Sequence, residues 1–306
     1  MPAAPNLRVE YFQKRNGERV AYSGTGSGSP LLVIPPWVFD MQMSHSLVAP
    51  MIDRLRLDHR VLFYDKQGTG LSDRDLDDWR FERHVEELVE VLDHLEVERT
   101  SLWACSQAGP IAVALASAYP ERVSRIVFVS TYADGPSLFR RPEVRESMLS
   151  MVRAHWGMGS KVLADMLAPN ATSEESQQLA ADQRRATSGE VAARALEELY
   201  SVDMSERLPG VEAASLILHH QQDRAIPFGG GQQLASGIAN ARLVALPGLG
   251  HARLDPATEP DVIDEVIDFF RGASESAVER SPLTAREVDV LRLVVEGYSN
   301  QEIADR

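Results

Sequence analysis

Trp103-Ala104-Cys105-Ser106-Gln107-Ala108-Gly109 joins two different patterns. Before it, Ser101–Cys105 is a short apolar run of the kind that suits a strand buried on both faces. After it, Ser106–Tyr119 is rich in small and apolar residues and predicts a helix. A tight strand-to-helix turn brings the backbone close to itself, so the serine needs small neighbours, and Ala104 and Ala108 supply them. Such a turn lifts the Ser106 hydroxyl above the sheet and leaves the N–H groups of the helix's first turn without partners. A serine that merely caps a helix would show the same local pattern. Residues elsewhere in the chain decide between the two.

Working outward, the pattern alternates. Leu7–Phe12 and Arg19–Tyr22, around Asn16-Gly17, predict a β-hairpin. Leu31–Ile34, Arg60–Tyr64, Ser124–Ser130, Leu216–His220 and Arg242–Leu246 predict further strands. Val85, Leu88, Val89, Leu92 and Leu95 share one face of a helix over residues 79 to 96. Helices are also predicted at Gly230–Ile238 and Pro260–Phe270. Strands alternating with helices give an α/β class with a mostly parallel sheet covered on both faces. Residues 134 to 208 interrupt the alternation and read as helical without a strand, as expected of a cap over the sheet's edge.

Serine is a weak nucleophile and needs a base within hydrogen-bond reach, itself held in one tautomer by a carboxylate. His251 lies in the glycine-rich loop Leu246-Pro247-Gly248-Leu249-Gly250-His251, just after a strand. Asp223 follows another strand, in His219-His220-Gln221-Gln222-Asp223. Ser106, Asp223 and His251 therefore all fall at carboxyl ends of strands, where open α/β sheets place their sites. Their order along the chain is that of a nucleophile, acid and base on such a sheet. These three are the expected catalytic residues.

Residues 7 to 271 resemble the α/β-hydrolase superfamily. The likeness rests on Pro35-Pro36-Trp37, on Asp65-Lys66-Gln67-Gly68-Thr69-Gly70-Leu71-Ser72, on the Ser106 turn, and on Asp223 and His251. It implies an oxyanion hole made by the backbone N–H groups of Trp37 and Gln107. Two departures stand out. The family's His-Gly is Pro35-Pro36, which stiffens the loop and removes two donors. Its usual arginine is Gln67, an exchange expected to weaken a structural contact. Phe39, Phe139 and Trp156 are expected at the substrate pocket, with Met151, Met158 and Met166 as further candidates for its roof. His219 and His220 point to opposite faces of a strand, so no metal is expected, nor any cofactor. Cys105 should be packed into the sheet rather than reactive.

Formal net charge is −14, with 44% hydrophobic and 25% charged residues among 306, as in an ordinary globular protein. That balance excludes a general attraction to nucleic acid. One cysteine excludes an intramolecular disulfide, and the N-terminus lacks the apolar core of a signal peptide; a cytoplasmic location without membrane contact is expected. The expected organisation is residues 1–271 as the α/β domain, with its cap about 134–208, then a small polar linker at 272–282. Beyond it, Thr284/Glu287 and Ser299/Glu302 are capping-box pairs for two short helices. The segment 283–306 resembles the LuxR-type helix-turn-helix through L-T-x-R-E and G-x-S-N-x-E-I-A. The recognition helix of that motif would fall after Arg306, so DNA is an expected partner only if the motif is completed there. The resemblance also admits a homodimer. Together these readings imply a serine hydrolase acting on an ester, lactone or amide as the sensor or catalytic part of a LuxR-type regulator. The alternative is a sensor that binds a small molecule without turning it over.

Overall fold

The computed structural model describes residues 7–75, 78–139 and 141–272. Eight strands form one sheet: β1 (Glu10–Gln13), β2 (Arg19–Thr25), β3 (Ser29–Ile34), β4 (His59–Tyr64), β5 (Thr100–Ser106), β6 (Val123–Thr131), β7 (Ala214–His220) and β8 (Ala241–Leu246). Their spatial order is β1-β2-β4-β3-β5-β6-β7-β8. The β1–β2 hairpin joins antiparallel to β4, and every other pairing is parallel. The central strands read as unbroken apolar runs because helices cover both of their faces; every residue of β5 is buried.

The helices are α1 (Met41–Val48), α2 (Ile52–Leu55), α3 (Glu82–His94), α4 (Ala108–Ala118), α5 (Pro142–Ala154), α6 (Trp156–Leu167), α7 (Ser173–Ala186), α8 (Gly189–Ser201), α9 (Gly229–Gly237) and α10 (Pro260–Arg271). Helix α4 is buried from Ala108 through Ala116, which suits its composition: alanines let neighbouring elements approach closely, and Ile111, Val113 and Leu115 fill the core. It begins two residues later than its composition suggests, because Ser106 takes a left-handed conformation that a helix cannot contain. Helix α3 is shorter than its periodicity suggests and is followed by Glu96 at φ 56°. Helices α5 to α8 lie in sequence between β6 and β7. The two ends of this insertion are clasped by Gly135 N–H on Val202 O and Met204 N–H on Ala133 O, each at 2.8 Å, and by the bridge Asp134–Asp203.

Contacts divide the chain into two compact units that meet in sequence at Val266 and Ile267. Apart from Gly272, the expected linker at 272–282 and the helix-turn-helix at 283–306 lie outside the described residues. No described helix is long and apolar enough to cross a membrane.

Strand order places the site. After β3 the chain adds β4 on one side, then crosses to add β5 on the other. The loops leaving β3 and β5 therefore diverge and open a crevice at the sheet's carboxyl edge. Trp37 leaves β3 and Ser106 ends β5 at that crevice; β7 and β8 lead to Asp223 and His251. Phe128, in the middle of β6, is fully buried. Phe128→Ala is expected to cost about 3–5 kcal/mol through lost burial and the cavity left behind, read as a lower urea midpoint.

Candidate active site

The Ser106 turn is a constrained piece of backbone at the crevice. Ser106 has φ 51°, a region that non-glycine residues rarely occupy. The conformation is held from both sides. The Thr131 hydroxyl donates to the Ser106 carbonyl, and Ala104 and Ala108 are completely buried around it. Gly109 lies against the Thr131 side chain with no room for a Cβ. Strain over-determined by its surroundings in this way is characteristic of sites that present a side chain.

Asp223 and His251 meet. His251 Nδ1–H donates to Asp223 Oδ2 at 2.8 Å, and both residues are buried. The other carboxylate oxygen accepts from the N–H groups of Ala225 (2.8 Å) and Ile226 (3.1 Å). Burial opposes ionisation of Asp223, but the His251 ring and these donors hold its pKa below the usual carboxylate value. The remaining ring nitrogen, His251 Nε2, is buried and has no hydrogen-bond partner among the described residues. Ser106 and His251 line the same cavity of about 540 Å³. An imidazole oriented through Nδ1, with Nε2 open toward a cavity shared with a serine, has the chemistry of a general base.

Trp37, at φ 32°, is the second left-handed residue at the crevice. Among the described residues, no turn or loop hydrogen bond occupies the N–H of Trp37 or of Gln107. Gln107 is fixed through its side chain, whose Nε2 donates to Ala195 O at 2.9 Å and to Glu198 Oε1 at 3.0 Å, both on α8. His84 Nε2 bonds the same Glu198 oxygen at 2.9 Å. Burial favours the neutral acid at Glu198, yet His84, Arg83 and Lys66 keep its pKa below the usual value. Burial pushes His84 the other way, down to about 4. A cap helix is thus tied by a half-buried carboxylate to the residue following Ser106.

The pocket residues divide. Phe39, Phe139 and Met166 line the cavity. Trp156 is not among its lining residues: it stacks edge-on behind Trp37 at 5.9 Å, and its Nε1 donates to Thr187 O at 3.2 Å. Met151 is also outside the lining, and Met158 is exposed. Gln67 does not leave a hole where the family has arginine. Lys14 Nζ reaches it from the β1–β2 hairpin at 3.2 Å, and the Gln67 N–H donates to Glu87 at 3.2 Å. The preceding Asp65 organises this loop, accepting from Met41 N–H at 2.6 Å and Leu71 N–H at 2.7 Å; burial pushes its pKa up to about 7. Sequence reasoning missed the places of Glu198, His220 and Glu259 at the site. Glu198 touches Gln107, 91 residues away, and carries no local signal. His220 and Glu259 line the cavity and bond each other across 39 residues, again with nothing local to reveal it.

A parallel sheet with a strained serine turn, an acid–histidine pair and an inserted helical cap defines an α/β-hydrolase architecture. The chain belongs to the alpha/beta hydrolase fold family, an enzyme family, whose model matches residues 30–255. Residues 281–306 match the model of bacterial regulatory proteins of the luxR family. A protein of Azorhizobium caulinodans named as the putative carbamate hydrolase RutD is 28% identical over 260 residues, covering 82% of this chain and 94% of that protein. The fold is shared with an esterase from Exiguobacterium antarcticum (TM-score 0.76, 17% identity, 86% of this chain and all of that one). It is also shared with a bromoperoxidase from Bacillus anthracis (TM-score 0.74, 18% identity, 87% of this chain and all of that one).

The buried groups make two outcomes testable. Burial raises the Cys105 thiol to about 12, so the native chain should give no reaction with a thiol reagent at pH 8 and one equivalent in denaturant. His84 titrates lower folded than unfolded, so unfolding takes up a proton between about pH 4 and 6.5. Its contribution to stability is present above pH 6.5 and is lost as pH falls toward 4. His84→Gln should flatten that part of the stability–pH curve, measured by urea unfolding.

Proposed function

We propose that this chain is a serine hydrolase. In this reading His251 Nε2 takes the Ser106 proton as the hydroxyl attacks an acyl carbon. Asp223 holds the imidazole in the required tautomer and stabilises the imidazolium that forms. The Trp37 and Gln107 N–H groups take the oxyanion; being fixed beforehand, they need no reorganisation as charge develops. His251 then returns the proton to the leaving group, and water, activated by the same base, frees the acyl-enzyme. The observation that carries this reading is the 2.8 Å Asp223–His251 bond, with Nε2 left open in the cavity that Ser106 lines. The acyl group is an apolar one, joined as ester, lactone or amide. Phe39, Phe139, Leu163, Met166 and Leu196 are among the residues lining the cavity, and apolar surface of this kind selects by shape and burial.

The luxR-family match favours a second role: the hydrolase domain as the sensing or catalytic part of a transcriptional regulator that contacts DNA. A ligand could then act by differential affinity for two conformations, with or without turnover. Both readings take the organisation to be an α/β domain over 1–271, a linker and a LuxR-type segment.

Labelling by a fluorophosphonate probe separates turnover from ligand binding alone. Wild-type chain should label, and Ser106→Ala should not. Asp223→Asn should slow labelling by about a thousandfold or more, because the imidazole then adopts the wrong tautomer. No labelling of folded wild-type chain would leave the binding sensor as the reading.

A further inference from the structure

The ends of β7 and the loop before α10 are joined twice, in opposite senses. Asp223, just after β7, accepts from His251 in the loop. His220, the last residue of β7, pairs its Nε2 with Glu259, at the loop's far end, at 3.0 Å. Both residues of the second pair are buried, and both line the cavity that holds Ser106 and His251. Glu259 also closes the loop on itself. Its Oε2 accepts from Asp255 N–H at 2.8 Å, and its own N–H donates to Asp255 O at 2.7 Å.

The His220 ring does more than bond Glu259. It lies against the backbone of Gly250, the residue before His251. A Cβ at Gly250 would stand 2.5 Å from His220 Nε2 and 2.6 Å from Cε1. The imidazole is thus wedged between the main chain that carries the base and the carboxylate that ends the loop. On the other side of His251, Ala252 is left-handed at φ 56°. A strained residue next to the base keeps its conformation only if the surroundings impose it.

We propose that His220 and Glu259 are positioning residues for His251, holding the loop at the height over Ser106 that proton transfer requires. Asp223 sets the orientation and tautomer of the ring; the His220–Glu259 pair sets where the ring's backbone lies. Displacing a base by a fraction of an ångström costs rate in the chemical step more than affinity. This inference rests on the serine-hydrolase reading.

The test uses the full chain and p-nitrophenyl butyrate. Glu259→Ala and His220→Ala should each lower kcat roughly tenfold or more with KM changed less than about threefold. The double variant should be slowed by clearly less than the product of the two single effects, since the His220–Glu259 interaction is lost in both. His220→Gln, whose amide N–H can still reach Glu259, should recover most of the rate. The downfield proton resonance of His251 Nδ1–H, assigned by its loss in His251→Gln, supplies a readout independent of turnover. It should broaden or shift in Glu259→Ala and keep its position in His220→Gln. Wild-type kcat and an unmoved resonance in Glu259→Ala would overturn the proposal. So would losses of rate and thermal midpoint that are equal in His220→Ala and His220→Gln, which is the mark of a purely structural pair. A wild-type chain that leaves the ester intact counts against the hydrolase reading alone; the resonance then decides the positioning claim by itself.

Discussion

Ser106 occupies left-handed backbone at the end of a fully buried strand, and the surrounding structure is arranged to keep it there. A residue with a Cβ at φ 51° is unfavourable by itself. It persists because Ala104 and Ala108 leave space, because the Thr131 hydroxyl holds the carbonyl, and because Gly109 lets α4 approach β6. The same constraint determines where the free N–H groups of that helix fall. The turn is where the packed core meets the crevice.

The polar part of the site is built from carboxylates that are buried or half-buried but not alone. Asp223, Glu259 and Glu198 each accept from a histidine, and each receives at least one further hydrogen bond. Removing one partner of such a pair leaves an uncompensated buried group, so the pairs specify geometry more than they add net stability. Glu198 has a distinct consequence, because it belongs to the cap and bonds the residue beside Ser106. Gln107 is bonded to α8 through Ala195 O and Glu198.

Pattern and spacing carried much of the architecture into view. The period-2 hairpin, the apolar runs of β3, β5, β6 and β7, and the amphipathic faces of α3 and α10 are local features, so periodicity reveals them. Helix ends were less legible. The start of α4 depends on a left-handed Ser106, and the end of α3 on a left-handed Glu96, conformations that composition does not announce. The expectation for Gln67 saw a lost arginine but could not see Lys14 arriving from the hairpin, 53 residues away. Trp156 looked like a pocket residue because it is large and apolar within the cap. Its place behind Trp37 depends on how α6 packs, which periodicity does not encode.

By itself the sequence determined the α/β class, the mostly parallel sheet, the strand-to-helix turn at Ser106, and the presence of Asp223 and His251 at strand ends. Those features come from local sterics and from chain order. Only the tertiary structure decided that Asp223 reaches His251, that Nε2 is left without a partner among the described residues, and that Trp156 backs Trp37 rather than facing the cavity. It alone brought His220 onto Gly250 and Glu259, and Glu198 onto Gln107. Each of these depends on side chains from distant segments meeting at a few ångströms, a distance fixed by the packing of the whole sheet and its helices.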